Sequence, residues 1–155
     1  QVGPGTPCGE MLRRYWWPVA VSADVGAAPL VVKMLGEEAV LFRDGSGAVG
    51  MLDKHCAHRG ASLEFGRVED EGLRCCYHGW LYDRAGNCLD QPCEPPESNF
   101  KDRIQQKSFP VQEVSGLVFA YLGPLPAPSF PKPDLLSRDD CNKTVYGRDM
   151  QCNWL

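Results

Sequence analysis

The sequence predicts an all-β fold, an antiparallel β-sandwich that carries two metal-binding loops and a short N-terminal helix. Three observations support this prediction. Residues 30–122 consist largely of short apolar runs, glycine-rich turns separate these runs, and a length of 155 residues suits a single domain. Many short strands joined by tight turns are typical of antiparallel sheets stacked as a sandwich or a partly open barrel.

Residues 1–29 are expected to form a helical and aromatic segment that packs on the domain. Thr6 followed by Pro7 is typical of a helix start, because threonine caps free N–H groups and proline fits the first helical position. We expect the helix to reach about Tyr15. Pro18 prevents its continuation, since the residue before a proline is pushed out of the α region.

The apolar-rich runs between residues 30 and 122 are predicted to be strands. They are Leu30–Leu35, Glu38–Arg43, Ala48–Asp53, Gly72–Cys75, Trp80–Asp83, Lys107–Glu113 and Leu117–Leu122. Turn sequences such as Asp44–Gly47 and Ala85–Asn87 separate them. We expect the domain to span residues 30–122, with both metal-binding loops leaving strand ends and meeting at one tip.

Residues 123–134 are rich in proline and predict a semi-rigid, extended connector. The domain is expected to stop where this connector begins. Residues 135–155 are polar and too few to fold alone.

Two short motifs carry the chemistry of this chain. The first, Cys-Ala-His, offers Cys56 and His58, and the second, Cys-Cys-Tyr-His, offers Cys75 and His78. Sixteen residues separate His58 from Cys75, and a glycine follows each histidine within two residues. Each motif therefore offers one soft thiolate and one imidazole.

This division of ligands favours an iron–sulfur cluster over zinc. A 2Fe–2S cluster of the Rieske type binds two cysteines at one iron and two histidines at the other. Structural zinc sites more often pair Cys with Cys and His with His. We therefore predict that Cys56, His58, Cys75 and His78 are metal ligands that hold a Rieske-type 2Fe–2S cluster, with a structural zinc module as the less favoured interpretation.

The two motifs resemble the cluster loops of Rieske non-haem iron oxygenases, the family that includes the aromatic-ring-hydroxylating dioxygenases. The resemblance runs over nearly the whole chain, and the segments Arg13–Val19 and Glu94–Phe100 are most similar to the phthalate dioxygenase branch. Cys76 departs from the family pattern, which usually has proline there. The resemblance implies a Rieske-type antiparallel β-sandwich with two cluster-binding loops.

A function in electron transfer, without oxygenation by this chain itself, follows from the histidine count. Oxygen activation needs an Fe(II) ion held by two histidines and a carboxylate, whereas three histidines minus two cluster ligands leave only His55. No catalytic residue is expected here. The resemblance places the mononuclear Fe(II) and the aromatic substrate in a missing C-terminal domain that starts within residues 135–155.

The resemblance also implies partners. We expect electrons to come from an NAD(P)H-dependent reductase or a ferredoxin, and the full-length protein to be a homo-oligomer, since resembling oxygenases are trimers. A stand-alone Rieske-type ferredoxin, a carrier and not an enzyme, is the alternative that the sequence leaves open. Neither the substrate nor the choice between dioxygenation and demethylation can be deduced from these residues.

The surroundings of the motifs predict a low reduction potential. High-potential respiratory Rieske proteins have an extra disulfide between the loops and a serine hydroxyl aimed at a sulfur, and those positions here hold Ala61, Tyr77 and Trp80. Fewer polar donors to the sulfurs disfavour the reduced, more negative form. Trp80 and Tyr82 are expected to pack beneath the second loop.

Four other residues near the motifs have simpler predicted roles. Lys54, His55 and Arg59 are expected to form a small cationic collar that suits an acidic partner surface. His55 is otherwise a surface residue, and Cys76 is expected to be a small buried residue.

Composition excludes several classes of protein. A net charge of −4 argues against nucleic-acid binding. No apolar stretch approaches the roughly 20 residues of a membrane span. The eight cysteines occur in a chain with no visible signal peptide, so we expect reduced thiols and a cytoplasmic protein.

Overall fold

The computed structural model describes residues 1–95 and 97–148. The helices and strands in this part follow in chain order: α1 (Pro7–Leu12), β1 (Trp16–Val21), β2 (Leu30–Met34), β3 (Glu37–Arg43), β4 (Val49–Asp53), β5 (Arg67–Glu69), β6 (Gly72–Arg74), β7 (Leu81–Tyr82), β8 (Cys88–Asp90), β9 (Val111–Val114), β10 (Leu117–Tyr121) and α2 (Asp134–Ser137). The end of the tail predicted to begin a catalytic domain, including Cys152, lies outside the described residues, as does Pro96.

In the described part of the chain the strands form three antiparallel sheets, which confirms the predicted all-β antiparallel fold. Their strand orders are β1-β10-β9, β2-β3-β4 and β5-β6-β7-β8. The sheet β2-β3-β4 is the middle layer, because its two faces contribute to two different cores.

Strand β3 shows how the middle sheet serves both cores. Ala39 and Leu41 belong to the core shared with β10, whereas Val40 and Phe42 belong to the core that contains the cluster motifs. All four are fully buried. Successive side chains of a strand point to opposite faces, so a continuous apolar run indicates a strand covered on both sides.

Strand β1 was not predicted, because the tryptophan pair and Pro18 indicated the end of a helix. Thr6 does cap α1, accepting a hydrogen bond from the Gly9 N–H at 3.2 Å, but the helix ends at Leu12. Residues Trp16–Val21 instead pair with β10, and the register shifts just after Pro18. Proline is tolerated there because β1 is an edge strand with a local irregularity.

Two missed strands and one strand boundary also differ from the sequence prediction. The short strands β5 and β8, of three residues each, were missed. Strand β9 begins at Val111, four residues later than predicted. Pro110 lacks an N–H group and therefore cannot extend the β9 ladder towards Lys107.

The proline-rich connector packs on the first sheet. The ring of Phe130 lies 5.6 Å from that of Trp16 and 5.0 Å from that of Phe119, measured between centroids. The Trp16 indole N–H donates to the Pro128 carbonyl at 3.0 Å. These contacts attach the segment to strands β1 and β10.

No helix in the described residues is long and apolar enough to cross a membrane.

Candidate metal centre

Both predicted motifs lie in loops at one end of the core that contains Val40 and Phe42, called the second core below. Loop one, residues 54–62, follows β4, and loop two, residues 75–80, joins β6 to β7. The rings of His58 and His78 lie 4.4 Å apart between centroids. The structure therefore brings the two motifs together at one tip, as predicted.

The two loops adopt the same type of backbone turn. In loop one the Cys56 N–H donates to the Ala61 carbonyl at 2.9 Å and the Gly60 N–H to the Cys56 carbonyl at 2.8 Å. In loop two the Cys75 N–H donates to the Trp80 carbonyl at 2.8 Å and the Gly79 N–H to the Cys75 carbonyl at 3.1 Å. Each cysteine thus starts a turn with the same two hydrogen-bond spacings.

Glycine closes each turn for a conformational reason. Gly60 has a φ of 71° and Gly79 a φ of 76°. This left-handed region is strained for residues that carry a Cβ atom. The glycine four residues after each cysteine is therefore required by the turn.

The ligand atoms form two layers. Cys56 and Cys75 are buried, with 4% and 3% of their surface exposed, and belong to the second core. His58 and His78 are only partly buried. The thiols therefore lie at the base of the site and the imidazoles lie near its surface.

The donor set fits a 2Fe–2S cluster of the Rieske type. The Nδ1 atom of His58 is buried and has no hydrogen-bond partner among the described residues, as expected of a nitrogen reserved for a metal. Burial raises the pKa of the Cys56 thiol and the adjacent Cys75 thiol raises it further, although the Tyr82 hydroxyl and the His58 backbone lower it. Two thiols this buried and this close are typical of metal ligands, since metal binding removes the protons.

The Cys56 and Cys75 thiols are neighbours of each other, and the rings of His58 and His78 form a second pair. No group of three or more His, Cys, Asp or Glu side chains converges on a single ion position within residues 1–95 and 97–148. A dinuclear cluster matches this pairing because each of its irons takes two protein ligands.

Tyr82 is a functional residue that the sequence prediction missed in part. It is fully buried, as expected, but its hydroxyl lies 3.1 Å from the Cys56 sulfur of loop one. Burial holds the pKa of the Tyr82 hydroxyl far above its usual range, and the neighbouring thiols raise it further. The hydroxyl therefore keeps its proton and is the donor to a Cys56 thiolate, which supplies a polar donor that the motifs alone did not show.

Trp80 also contacts loop one and not only loop two. Its ring stacks on that of His58 with centroids 4.3 Å apart and planes 6° apart. The Trp80 ring also makes an edge contact with Phe100. The large side chain at the position of the respiratory serine thus fixes the plane of one imidazole.

A different side chain holds each loop from outside. Buried Gln106 bonds to three peptide groups of and next to loop one, and Arg74 donates to the Gly79 carbonyl of loop two. Arg74 also pairs with Glu69 at 2.8 Å and Asp90 at 2.7 Å. No motif in the sequence pointed to either residue, because both act from positions outside the two loops.

Two predictions for neighbouring residues, His55 and Cys76, have different outcomes. His55 is an exposed residue, as predicted, with its Nδ1 3.7 Å from Asp53. Cys76 is exposed and not buried, because the middle of loop two faces solvent. The prediction for Cys76 was therefore wrong.

The predicted cationic collar is reduced to Arg59. Lys54 is mostly buried and pairs with Glu38 at 3.4 Å and Glu64 at 3.7 Å, so its charge is balanced. Arg59 is exposed and has no carboxylate partner in the part of the chain that the structure describes. A partner would therefore meet one unbalanced arginine and not three cations.

Comparison with known families gives a match over most of the domain. Residues 15–113 match the family described as the Rieske [2Fe-2S] domain. The match starts beside β1, which agrees with the pairing of that strand with β10.

Three curated relatives and one solved structure are similar to the chain. Two of the relatives are the phenoxybenzoate dioxygenase subunit alpha of Ectopseudomonas oleovorans (54% identity over 87% of this chain and 33% of the relative) and the tert-butanol monooxygenase / tert-amyl alcohol desaturase oxygenase subunit of Aquincola tertiaricarbonis (46% identity over 100% of this chain and 33% of the relative). The third is the phthalate 4,5-dioxygenase oxygenase subunit of Pseudomonas putida (38% identity over 96% of this chain and 35% of the relative). The solved structure is the terminal oxygenase of carbazole 1,9a-dioxygenase from Novosphingobium sp. KA1, with a TM-score of 0.71 and 33% identity over 82% of this chain and 35% of that chain. The chain spans about a third of the length of the curated relatives it matches.

Proposed function

Because the chain belongs to the Rieske [2Fe-2S] domain family, we propose that it is the electron-transfer part of an oxygenase subunit and that Cys56, His58, Cys75 and His78 hold its cluster. The observation that carries this proposal is the layered site, with buried thiols beneath partly exposed imidazoles on two matching turns. A bound Rieske cluster supplies one-electron storage, at roughly −150 to +300 mV.

The protein's own residues decide how that electron is held and where it enters or leaves. Cys56 and Cys75 anchor the site in the core, where water is excluded. His58 and His78 lie at the tip, so electrons pass most directly through the imidazole side. Trp80 fixes the ring plane of His58, and Tyr82 stabilises negative charge on the Cys56 sulfur.

The relatives favour an oxygenase subunit over a stand-alone ferredoxin. Their names describe oxygenase components, and one alignment covers the whole chain, including the connector and the tail. We therefore propose residues 30–122 as the domain proper, with the segment 1–29 packed on it, 123–134 as the connector, and 135–155 as the start of a catalytic domain. That domain would supply the mononuclear Fe(II) site, for which this chain lacks histidines.

Substrate and partners follow from the relatives and the surface. Phenoxybenzoate and phthalate in the names of two relatives support an aromatic substrate. We propose an NAD(P)H-dependent reductase or a ferredoxin as electron donor, docking beside Arg59 and the imidazole tip. A homo-oligomer in the full-length protein and a cytoplasmic location, where the five described thiols that are not cluster ligands stay reduced, complete the proposal.

Electron uptake without oxygenation is the test. The purified chain, mixed anaerobically with NADH and a phthalate-type reductase, should accept one electron per chain, seen as bleaching of its visible absorption. On exposure to air with phthalate it should form no hydroxylated product. A His58→Ala chain should accept no electron, and product formation by the 155-residue chain, with contaminating oxygenase excluded, would contradict the proposal.

A further inference from the structure

Gln106 is an unusual residue for a protein core. Only 1% of its surface is exposed, which makes it the most buried polar side chain of the described residues. It lies between β8 and β9, about fifty positions after the cysteine motif of loop one. A buried amide is costly unless its polar atoms are paired.

The side chain of Gln106 is paired entirely with loop one and its approach. Its Oε1 accepts from the Ala57 N–H at 2.7 Å, and its Nε2 donates to the carbonyls of Asp53 at 3.0 Å and His55 at 2.9 Å. Three of the four hydrogen-bonding capacities of the amide are therefore used. All three partners are backbone groups, so they do not depend on the side chains at those positions.

These partners bracket the first cysteine. The peptide groups of residues 53, 55 and 57 face Gln106, whereas the N–H and carbonyl of Cys56 bond within the turn, to Ala61 and Gly60. The peptide plane between Cys56 and Ala57 is thus fixed from both sides. That plane joins the cysteine to the residue before His58, so it sets the directions in which the thiol and the imidazole leave the backbone.

Gln106 is itself fixed to the structure that supports loop two. Its backbone N–H donates to the Gly86 carbonyl at 2.8 Å, in the turn between β7 and β8. A Cβ atom on Gly86 would lie 2.0 Å from the Gln106 carbonyl oxygen, so the approach is as close as a glycine allows. Strand β7 directly follows loop two. Gln106 therefore connects the position of loop one to the hairpin that continues loop two.

We propose that Gln106 is a positioning residue for the cluster: it fixes the Cys56–Ala57 peptide and thereby the relative placement of the Cys56 and His58 ligands. The proposal rests on the ligand assignment made above. It adds that a neutral side chain with no contact to the metal site controls how tightly loop one closes on the cluster and how its ligands are oriented.

The central variant is Gln106→Met, which keeps the approximate length and burial of the side chain and removes its three hydrogen bonds to the backbone of residues 53, 55 and 57. We expect the cluster to be bound about 10- to 100-fold less tightly, the loss of affinity typical when residues that orient metal ligands are replaced. Its release to a chelator should therefore become faster. We also expect shifted g values in the electron paramagnetic resonance spectrum of the reduced chain, because the ligand directions change. Loss of packing alone would leave those g values unmoved.

Two further variants separate the hydrogen bonds of the Gln106 side chain from general effects of the segment around it. Gln106→Glu keeps an oxygen for the Ala57 N–H but removes the amide donors to the carbonyls of residues 53 and 55. Its g values and release rate should therefore also differ from those of the unchanged chain, which tests the proposal even if the Met variant fails to fold. Gln105→Met is the matched control, because Gln105 is exposed and its amide donates to the Ala85 and Gln106 carbonyls and not to loop one. Its release rate and spectrum should equal those of the unchanged chain.

The outcomes are distinguishable from failure of the proposed function. If the unchanged chain shows no Rieske spectrum, the ligand assignment falls. If it does, unchanged g values and release rates in both Gln106 variants would overturn the positioning role. Equal effects of Gln105→Met and Gln106→Met would also overturn it, since the segment as a whole would then be responsible.

Discussion

Loops one and two adopt the same type of backbone turn, but different side chains stabilise each of them. Both place a glycine with positive φ four residues after the cysteine and use the same backbone hydrogen bonds, yet the histidine is two residues after Cys56 and three after Cys75. Loop one is held from outside by a neutral amide, and loop two by an arginine paired with carboxylates. The Cys-to-Gly spacing therefore fixes the turn, whereas the support chosen for each loop decides which conditions loosen it.

Loss of either imidazole should have the largest effect, and the same effect in both loops. His58→Ala and His78→Ala should each abolish the visible Rieske spectrum, since a vacated position exposes the iron to loss. His55→Ala is the matched control and should keep the full spectrum and iron content. If His55→Ala removed the cluster while His58→Ala kept it, the ligand assignment would be wrong.

Replacement of the two glycines should separate the loops. An alanine in the left-handed region costs about 1–2 kcal/mol in either turn. A Cβ atom on Gly60 would meet nothing within 4 Å, whereas one on Gly79 would lie 3.1 Å from the Pro92 Cγ. Gly79→Ala should therefore lower the temperature of cluster loss more than Gly60→Ala, and an equal or reversed order would show that Pro92 yields freely.

The hydroxyl of Tyr82 should raise the reduction potential through loop one alone. Tyr82→Phe removes the donor to the Cys56 sulfur, so the reduced, more negative state loses stabilisation. We expect a fall of tens of millivolts, given that ~59 mV corresponds to a tenfold change for one electron. Tyr15→Phe, at an exposed position just before β1, is the control for voltammetry and should leave the potential unchanged.

Acid should weaken the support of loop two, with the smallest effect. Hydrogen bonds from Arg74, then Arg67, lower the pKa of Glu69 to about 2 from its ordinary 4.5. Because the folded pKa is depressed, its stabilisation is complete above about pH 4.5 and is lost as the pH falls towards 2. The pair is partly exposed, so it contributes about 1 kcal/mol or less.

Glu69→Gln should therefore lower the thermal midpoint at neutral pH, and the difference from the unchanged chain should shrink as the pH falls through that window. Circular dichroism measures both. Glu71→Gln, at an exposed position of the neighbouring turn, should change neither the midpoint nor its pH dependence. A Glu69→Gln difference that grows on acidification would show that another group controls loop two.

The difference between the local turns and their distant supporting side chains also explains what the sequence could predict. The ligands and their glycines are visible because they form one local turn, with fixed spacing, in each motif. Gln106 gives no such signal: it sits in a polar run and acquires its role only when the segment before β9 lies beside β4. Strand β1 was missed for a similar reason, since its pairing with β10 joins residues about a hundred positions apart.

Tyr82 is an intermediate case. Its burial follows from the strand pattern, but the atom it faces depends on how loop one folds over β7. The cationic collar failed in the same way, because Glu38 and Glu64 reach Lys54 only in the folded sheet.

The central claim is that two thiols bind one iron and two imidazoles bind the other. Pulsed electron paramagnetic resonance of the reduced chain, grown with ¹⁵N-labelled histidine, tests it most directly alongside iron and sulfide analysis. We predict two irons and two inorganic sulfides per chain, and couplings from two histidine nitrogens that persist in His55→Ala. One equivalent of zinc without visible absorption, or a reduced cluster with no histidine coupling, would contradict this account.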